Sequence, residues 1–296
     1  MASQPAVLVT LDGQLHDPDT PLLHADELAA VRGDGVFETL LVRDGRPCLL
    51  ESHLARLSQS ARMLDLPEPD LPAWRNAIGV GVQRWAVEHS SDQAGDGVLR
   101  LVYSRGRESG GAPTAFVTIG GLADRVAGAR RDGVAAITLD RGLPLGAADM
   151  PWLVAGAKTL SYAVNMAALR HAARHGAGDA IFVSSDGYLL EGPRSTVVIA
   201  TTDQSGGLLL LTPPPWYPIL RGTTQQALFE VARSKGYDCD YRQLRPADLL
   251  TAQGVWLVSS ITLAARVHTL DGQPLPFAPL HDELAGLVDA AIVSDR

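Results

Sequence analysis

The sequence predicts a two-domain α+β / α/β protein, and three features carry that expectation. Short β-branched runs alternate with segments of helical period. The 296 residues are about the length of two domains. An irregular stretch marked by Gly142, Pro144, Gly146 and Pro151 parts the regular segments in mid-chain. The expected division is an N-terminal α+β domain over residues 1–125, a connection over 126–156 that carries the first strand of the second domain, and a C-terminal domain over 157–296.

The elements follow in order. Ala6–Leu11 is β-branched and stops at Asp12-Gly13, a strand and its turn. Val36–Val42 reads as a strand, and Asp44-Gly45 readily takes the positive φ of a primed hairpin turn, so Pro47–Leu50 pairs back. Leu54, Leu57, Ala61 and Leu64 repeat at helical spacing over Glu51–Leu64, ended by Pro67 and Pro69. A second helix runs from Pro72 to about Glu88 with Trp74, Ile78 and Trp85 on one side, followed by a polar loop from Ser90 to Gly97. Val98–Ser104 alternates as a strand, with Ala115–Ile119 as its neighbour, so the first half is a mostly antiparallel sheet with two helices.

From Gly120 to Gly156 the only regular element expected is the strand Val134–Leu139. Tyr162–His175 has a helical period ended by Gly176. Ala180–Val183 and Tyr188–Glu191 flank the turn Ser185-Asp186-Gly187 as strands. Further strands are expected at Ser195–Ala200, Leu208–Leu211, Gly254–Ser259 and Ala264–Leu270. A helix over Gln225–Ser234 follows the start Arg221-Gly222-Thr223-Thr224, and a last helix begins at Asp282.

A net charge of −8 argues against a nucleic-acid surface. The N-terminus lacks a basic region leading into an apolar core, and the apolar runs are too short for a membrane span. Cys48 and Cys239 are far apart, without metal-ligand spacing. Two free thiols in a reducing compartment are expected, hence a cytoplasmic protein with no nucleic acid, membrane or metal partner.

Lysine is nearly absent: of 25 Lys and Arg, only Lys158 and Lys235 are lysine. Lys235 precedes Gly236 at a helix end, where a cation is ordinary. Lys158 follows an apolar stretch. An amine that arginine cannot replace suggests a nucleophile that loses its proton and attacks a carbonyl, a Schiff-base lysine. The alternative is a lysine snorkelling from a buried helix start.

Other residues of the second half suit pyridoxal 5'-phosphate. Glu191, 33 residues beyond Lys158, ends a strand where an acid can face a pyridine nitrogen. Gly222-Thr223-Thr224 at a helix start offers N–H groups and hydroxyls to a phosphate. Ser259-Ser260 adds hydroxyls, and Arg56 in the first half is a candidate phosphate ligand. Singly, each has an ordinary reading as an N-cap or a solvated charge.

With these residues in this order, the chain resembles the fold-type IV pyridoxal-phosphate enzymes, which include branched-chain aminotransferases, D-amino acid aminotransferases and 4-amino-4-deoxychorismate lyases. The resemblance covers nearly the whole length. It is carried by Arg32–Thr39, His53–Leu57, Lys158–Asn165, Gly178–Glu191, Leu220–Thr224 and Val258–Ser260. It implies two domains with the cofactor between them, usually in a homodimer. It also implies that Lys158 is the catalytic lysine, and that Arg56, Tyr162, Glu191, Ser195, Thr196, Gly222, Thr223, Thr224, Ser259 and Ser260 bind the cofactor. Two positions depart from the family pattern: Thr196 stands where Asn is frequent, and Gln225 where Arg is frequent.

The loop after Tyr103-Ser104-Arg105-Gly106 lacks the Pro-Arg-x-His frequent in D-amino acid aminotransferases. It looks more like that of the lyases, whose substrate carries two carboxylates. Arg32, Arg105, Arg107 and Arg194 are then candidates for those carboxylates, with Phe37 and Thr39 on the same strand segment. The expected activity is release of pyruvate from 4-amino-4-deoxychorismate to give 4-aminobenzoate for folate synthesis. An amino acid aminotransferase (D-amino acid or branched-chain) using 2-oxoglutarate is the alternative.

Overall fold

The computed structural model describes residues 5–89, 95–202, 207–277 and 280–294. The chain forms two compact units, one of Met1–Asp124 with Ala157–Tyr162, the other of Arg125–Gly156 with Ala163–Ser294.

In the first unit, β1 (Pro5–Thr10), β2 (Leu15–His16), α1 (Leu28–Val31), β3 (Gly35–Arg43), β4 (Arg46–Pro47), α2 (Leu50–Met63), α3 (Leu71–Glu88), β5 (Gly97–Ser104) and β6 (Thr114–Gly121) follow one another. All sheet pairings are antiparallel, in the order β2-β1-β6-β5-β3-β4. The β3–β4 turn has φ of 52° at Asp44 and 68° at Gly45, the primed geometry expected of Asp-Gly. Asp70 caps α3 by accepting from the Ala73 N–H at 3.0 Å, and Pro72 sits in the first turn, where its missing donor costs nothing.

One face of β3, β5 and β6 carries Val36, Leu40, Leu99, Leu101, Val117 and Ile119. It packs in one buried cluster with Leu54 and Leu57 of α2 and Trp74, Ile78 and Trp85 of α3. Burial of side chains this size contributes about 1.5–3 kcal/mol each. The expected loop from Ser90 to Gly97 lies partly outside the described residues, and Gly97 itself opens β5.

Residues 157–162, expected to open the second domain, pack with the first unit instead. β4 pairs only with Val42 and Arg43, at the far end of β3. Beside the near end, the Phe37 N–H donates to the Lys158 carbonyl at 3.0 Å and the Leu160 N–H to that of Gly35 at 2.8 Å. A Cβ on Gly35 would lie 2.7 Å from the Tyr103 carbonyl oxygen and 2.8 Å from Leu160 Cδ1. Glycine is what admits the segment there.

The second unit contains α4 (Asp124–Asp132), β7 (Val134–Asp140), two 3-10 turns (Leu145–Asp149, Pro151–Leu153), α5 (Ala163–Arg174) and β8 (Asp179–Val183). Then come β9 (Thr196–Thr202), β10 (Leu208–Thr212), α6 (Thr223–Ser234), β11 (Asp238–Tyr241), α7 (Pro246–Thr251), β12 (Gly254–Ser259), β13 (Leu263–Leu270), β14 (Gln273–Pro274) and α8 (His281–Ala291). The sheet order is β11-β10-β9-β12-β13-β7-β8, with β14 on β13. Its centre is antiparallel, while β10/β11, β13/β7 and β7/β8 are parallel.

Two expectations need correction here. The stretch from Gly120 to Gly156 holds α4 and the two 3-10 turns besides β7. Only Val126 of α4 is buried, so the helix carries almost no apolar period. Tyr188–Glu191 is not a regular strand. It returns along β8 through the Leu190 N–H to the Phe182 carbonyl at 2.9 Å and the Phe182 N–H to the Glu191 carbonyl at 2.8 Å, but the Leu189 N–H turns away to the Leu244 carbonyl at 2.8 Å.

No helix among the described residues is long and apolar enough to cross a membrane.

Candidate active site

Lys158 is half-buried, and its backbone is held on two sides: its carbonyl by the Phe37 N–H, its N–H by Ser60 Oγ of α2 at 3.1 Å. Its Nζ stands 4.5 Å from the centre of the Phe37 ring, within cation–π range. Phe37 in turn meets Tyr162 edge-on, with ring centres 5.4 Å apart. The main chain and aromatic packing thus fix where this amine emerges. Thr39 lies two residues beyond Phe37 on β3 and faces the same side of the sheet.

Arg56 belongs to a buried cluster that sequence inspection does not reveal. Its Nε and Nη2 donate to Glu38 Oε1 and Oε2, each at 2.7 Å, and His53 Nδ1 lies 2.7 Å from Glu38 Oε2. Glu38 and His53 are fully buried and Arg56 nearly so. Burial opposes a charge on Glu38, but the Arg56 guanidinium and His53 outweigh it and hold its carboxyl well below the usual range. Burial, with Arg56 and Lys158 nearby, pushes the His53 pKa down despite Glu38. A neutral His53 then donates its Nδ1–H to Glu38. The one signal in the sequence is Glu38 itself, which falls on the core-facing side of a strand. An acid there demands a partner.

In the second unit, three hydroxyl-bearing segments meet at one end of the sheet. Val258 pairs with Thr196, so Ser259-Ser260 at the end of β12 lies beside Ser195-Thr196 at the start of β9. The start of α6 joins them: a Cβ on Gly222 would stand 2.3 Å from Thr196 Oγ1. Gly222 is the N-cap residue and supplies no side-chain acceptor to the first turn. The hydroxyls of Ser195 and Thr224 are buried and have no hydrogen-bond partner among the described residues. Buried, unsatisfied hydroxyls at the positive end of a helix fit a phosphate group, which supplies acceptors and negative charge together.

The segment around Glu191 is also fixed. Glu191 Oε2 accepts from the Leu220 N–H at 3.2 Å, and Asn165 Nδ2 donates to the Pro193 carbonyl at 2.7 Å. At the other turn, Ser259 Oγ accepts from the Thr262 N–H at 3.2 Å. Arg130 of α4 grips the Ile261 carbonyl through Nη2 at 2.5 Å and Nε at 3.2 Å. This turn ends on Leu263 with φ of 61°, an uncommon conformation for leucine.

The four candidate substrate arginines all have partners within the chain. Arg105 is the most committed, binding both oxygens of Asp34 at 2.7 and 3.3 Å and the carbonyls of Leu64 at 2.6 Å and Asp65 at 3.2 Å. Arg107 binds Asp26, whose carboxyl is held well below its ordinary range by the hydrogen bonds from Ser109 and Arg107. Arg194 approaches Asp179 at 3.4 Å, where burial pushes the Asp179 carboxyl up. Arg32 meets Glu108 at 3.2 Å with both side chains more than half exposed.

Comparison with known proteins shows the family. The family model described as amino-transferase class IV matches residues 35–270. A Mycobacterium tuberculosis protein named bifunctional aminodeoxychorismate lyase / D-amino acid transaminase is 72% identical over 293 residues, 98% of this chain and 100% of its own. A solved M. tuberculosis protein described as a hypothetical aminotransferase, in its PLP-bound form, superposes with a TM-score of 0.93 at 71% identity, over 98% of this chain and 99% of that one. A fold IV transaminase from Curtobacterium pusillum superposes with a TM-score of 0.88 at 40% identity, over 96% of this chain and 97% of that one. The two-domain α+β fold is that of fold-type IV enzymes, and the chain belongs to the amino-transferase class IV family.

Proposed function

We propose that this chain is a pyridoxal-phosphate enzyme that releases pyruvate from 4-amino-4-deoxychorismate to give 4-aminobenzoate, and that it also transaminates D-amino acids at the same lysine. The observation that carries the reading is the 72% identical relative, whose name joins both activities, together with a buried-hydroxyl cradle that suits a phosphate. When bound, pyridoxal phosphate supplies an aldehyde for the lysine and a ring that takes up electrons from the substrate carbon.

The protein's own residues divide the remaining work. Lys158 is the general base that takes the proton from the amine-bearing carbon of the substrate. In the lyase reaction the electrons left on the ring expel enolpyruvate from the neighbouring carbon, and Lys158 protonates that leaving group. In the transaminase reaction the same Lys158 amine would be the group that holds and moves that proton. Glu191 would hold the cofactor's pyridine nitrogen and Tyr162 its ring oxygen. Ser195, Thr196, Gly222, Thr223, Thr224, Ser259, Ser260 and Arg56 hold the phosphate.

Phe37 and Thr39 line the substrate side. Among Arg32, Arg105, Arg107 and Arg194, we assign the substrate carboxylate first to Arg32. Its exposed pair with Glu108 is worth about 0–1 kcal/mol and is the easiest to exchange. The enzyme works as a cytoplasmic homodimer; Trp152, 74% exposed, and Trp216, 63% exposed, are apolar surface that a second subunit would cover.

The test is to give one cofactor-loaded preparation 4-amino-4-deoxychorismate, and separately D-alanine with 2-oxoglutarate, following 4-aminobenzoate, pyruvate and glutamate. Both reactions are expected in the wild type and neither in Lys158→Ala. Transamination with no 4-aminobenzoate would remove the lyase assignment.

A further inference from the structure

Gln225 follows Thr224 in the first turn of α6 and is 4% exposed. Its amide nitrogen Nε2 is buried and has no hydrogen-bond partner among the described residues. Two donors with nothing to donate to are costly inside a protein, and such a group is retained where something else completes it. The surroundings indicate what that is. Gln225 Cβ lies 3.4 Å from the point a Cβ on Gly222 would occupy, the same point that lies 2.3 Å from Thr196 Oγ1. The side chain therefore starts on the rim of the Gly222 cradle, one residue along α6 from Thr224, whose hydroxyl is also unsatisfied. Two unsatisfied buried polar atoms in the first turn of one helix, Thr224 Oγ1 and Gln225 Nε2, form a donor set completed by one multivalent acceptor.

We propose that the Gln225 side-chain amide is a ligand of the cofactor phosphate, donating from Nε2 to a phosphate oxygen. This rests on the reading that the cradle holds that phosphate. Glutamine here supplies a neutral donor where a cation would add charge, and its amide is unsatisfied until the phosphate arrives.

The experiment compares wild type, Gln225→Met and Thr224→Val as full-length apoproteins titrated with pyridoxal phosphate and, separately, with pyridoxal, which lacks the phosphate. Thermal unfolding of each apoprotein is recorded alongside. Methionine keeps the length of the side chain and removes the orphaned donors. The expected result for Gln225→Met is an apoprotein at least as thermostable as wild type, pyridoxal phosphate bound about tenfold more weakly, and pyridoxal bound unchanged.

Equal affinity of Gln225→Met and wild type for pyridoxal phosphate, with Thr224→Val weakened, would overturn the role of Gln225 and leave the cradle intact. Loss of pyridoxal and pyridoxal phosphate binding alike would also overturn it. If wild type itself bound pyridoxal as tightly as pyridoxal phosphate, and Thr224→Val changed nothing, the cradle assignment would fail.

Discussion

Glu38 and Arg56 face each other as a two-pronged pair inside the first unit, Nε to Oε1 and Nη2 to Oε2 at 2.7 Å each. The carboxylate is fully buried, so neither partner can be removed alone without stranding a charge. Glu38→Gln is expected to destabilise the protein by about 3–5 kcal/mol, read from urea unfolding at neutral pH. A loss below about 1 kcal/mol would mean that water reaches the cluster.

The same cluster sets an acid limit. His53 has a folded pKa below its ordinary 6.5, so the unfolded chain binds its proton first and stability falls as pH drops below about 6.5. Glu38 has a folded pKa below its ordinary 4.5, so its contribution is complete above about 4.5 and is lost as pH falls towards the folded value. Unfolding free energy measured from pH 8 down to about pH 2 should decline in two stages on the acid side. His53→Gln should abolish the first, and an unchanged profile in that variant would contradict the assignment.

Gly222→Ala would set a methyl 2.3 Å from Thr196 Oγ1. We expect a loss of about 1–3 kcal/mol, the range for overpacking, together with weaker cofactor binding. Adding Thr196→Ala removes the hydroxyl and should restore part of the stability. Absence of any rescue in the double variant would place the strain elsewhere.

Arg105 is tied to Asp34 and to two carbonyls that follow α2. Arg105→Lys cannot reproduce this fork and should cost about 1–2 kcal/mol. Because the guanidinium is occupied, KM for either substrate should change by less than about threefold; a large KM effect with unchanged stability would make Arg105 a substrate ligand.

Elements with a strong local signal were legible in the sequence. Asp44-Gly45 specifies its turn, and the alternation over Val98–Ser104 specifies a half-buried strand. Trp74, Ile78 and Trp85 mark one helix face. Helix α4 was not legible, because it lies on its unit with one buried side chain. Nor was the short β11, whose Asp-Cys-Asp-Tyr sequence is a strand only because it pairs in parallel with β10.

In the candidate site, the lysine and the glycine–threonine helix start stand out by residue type. The partners that position them do not, since Ser60 meets Lys158 across 98 positions and Arg130 meets Ile261 across 131. Gln225 was visible as a departure from the family pattern, but its unsatisfied amide emerges only from the packing.

The central claim is that Lys158 carries the cofactor, and the chain's near-absence of lysine makes a direct measurement possible. The cofactor-loaded enzyme would be reduced with borohydride, digested, and its peptides mapped by mass spectrometry. The account predicts one phosphopyridoxyl group, on the peptide containing Lys158, and none in Lys158→Ala. Labelling of Lys235, or no labelled peptide from an enzyme that turns over, would contradict it.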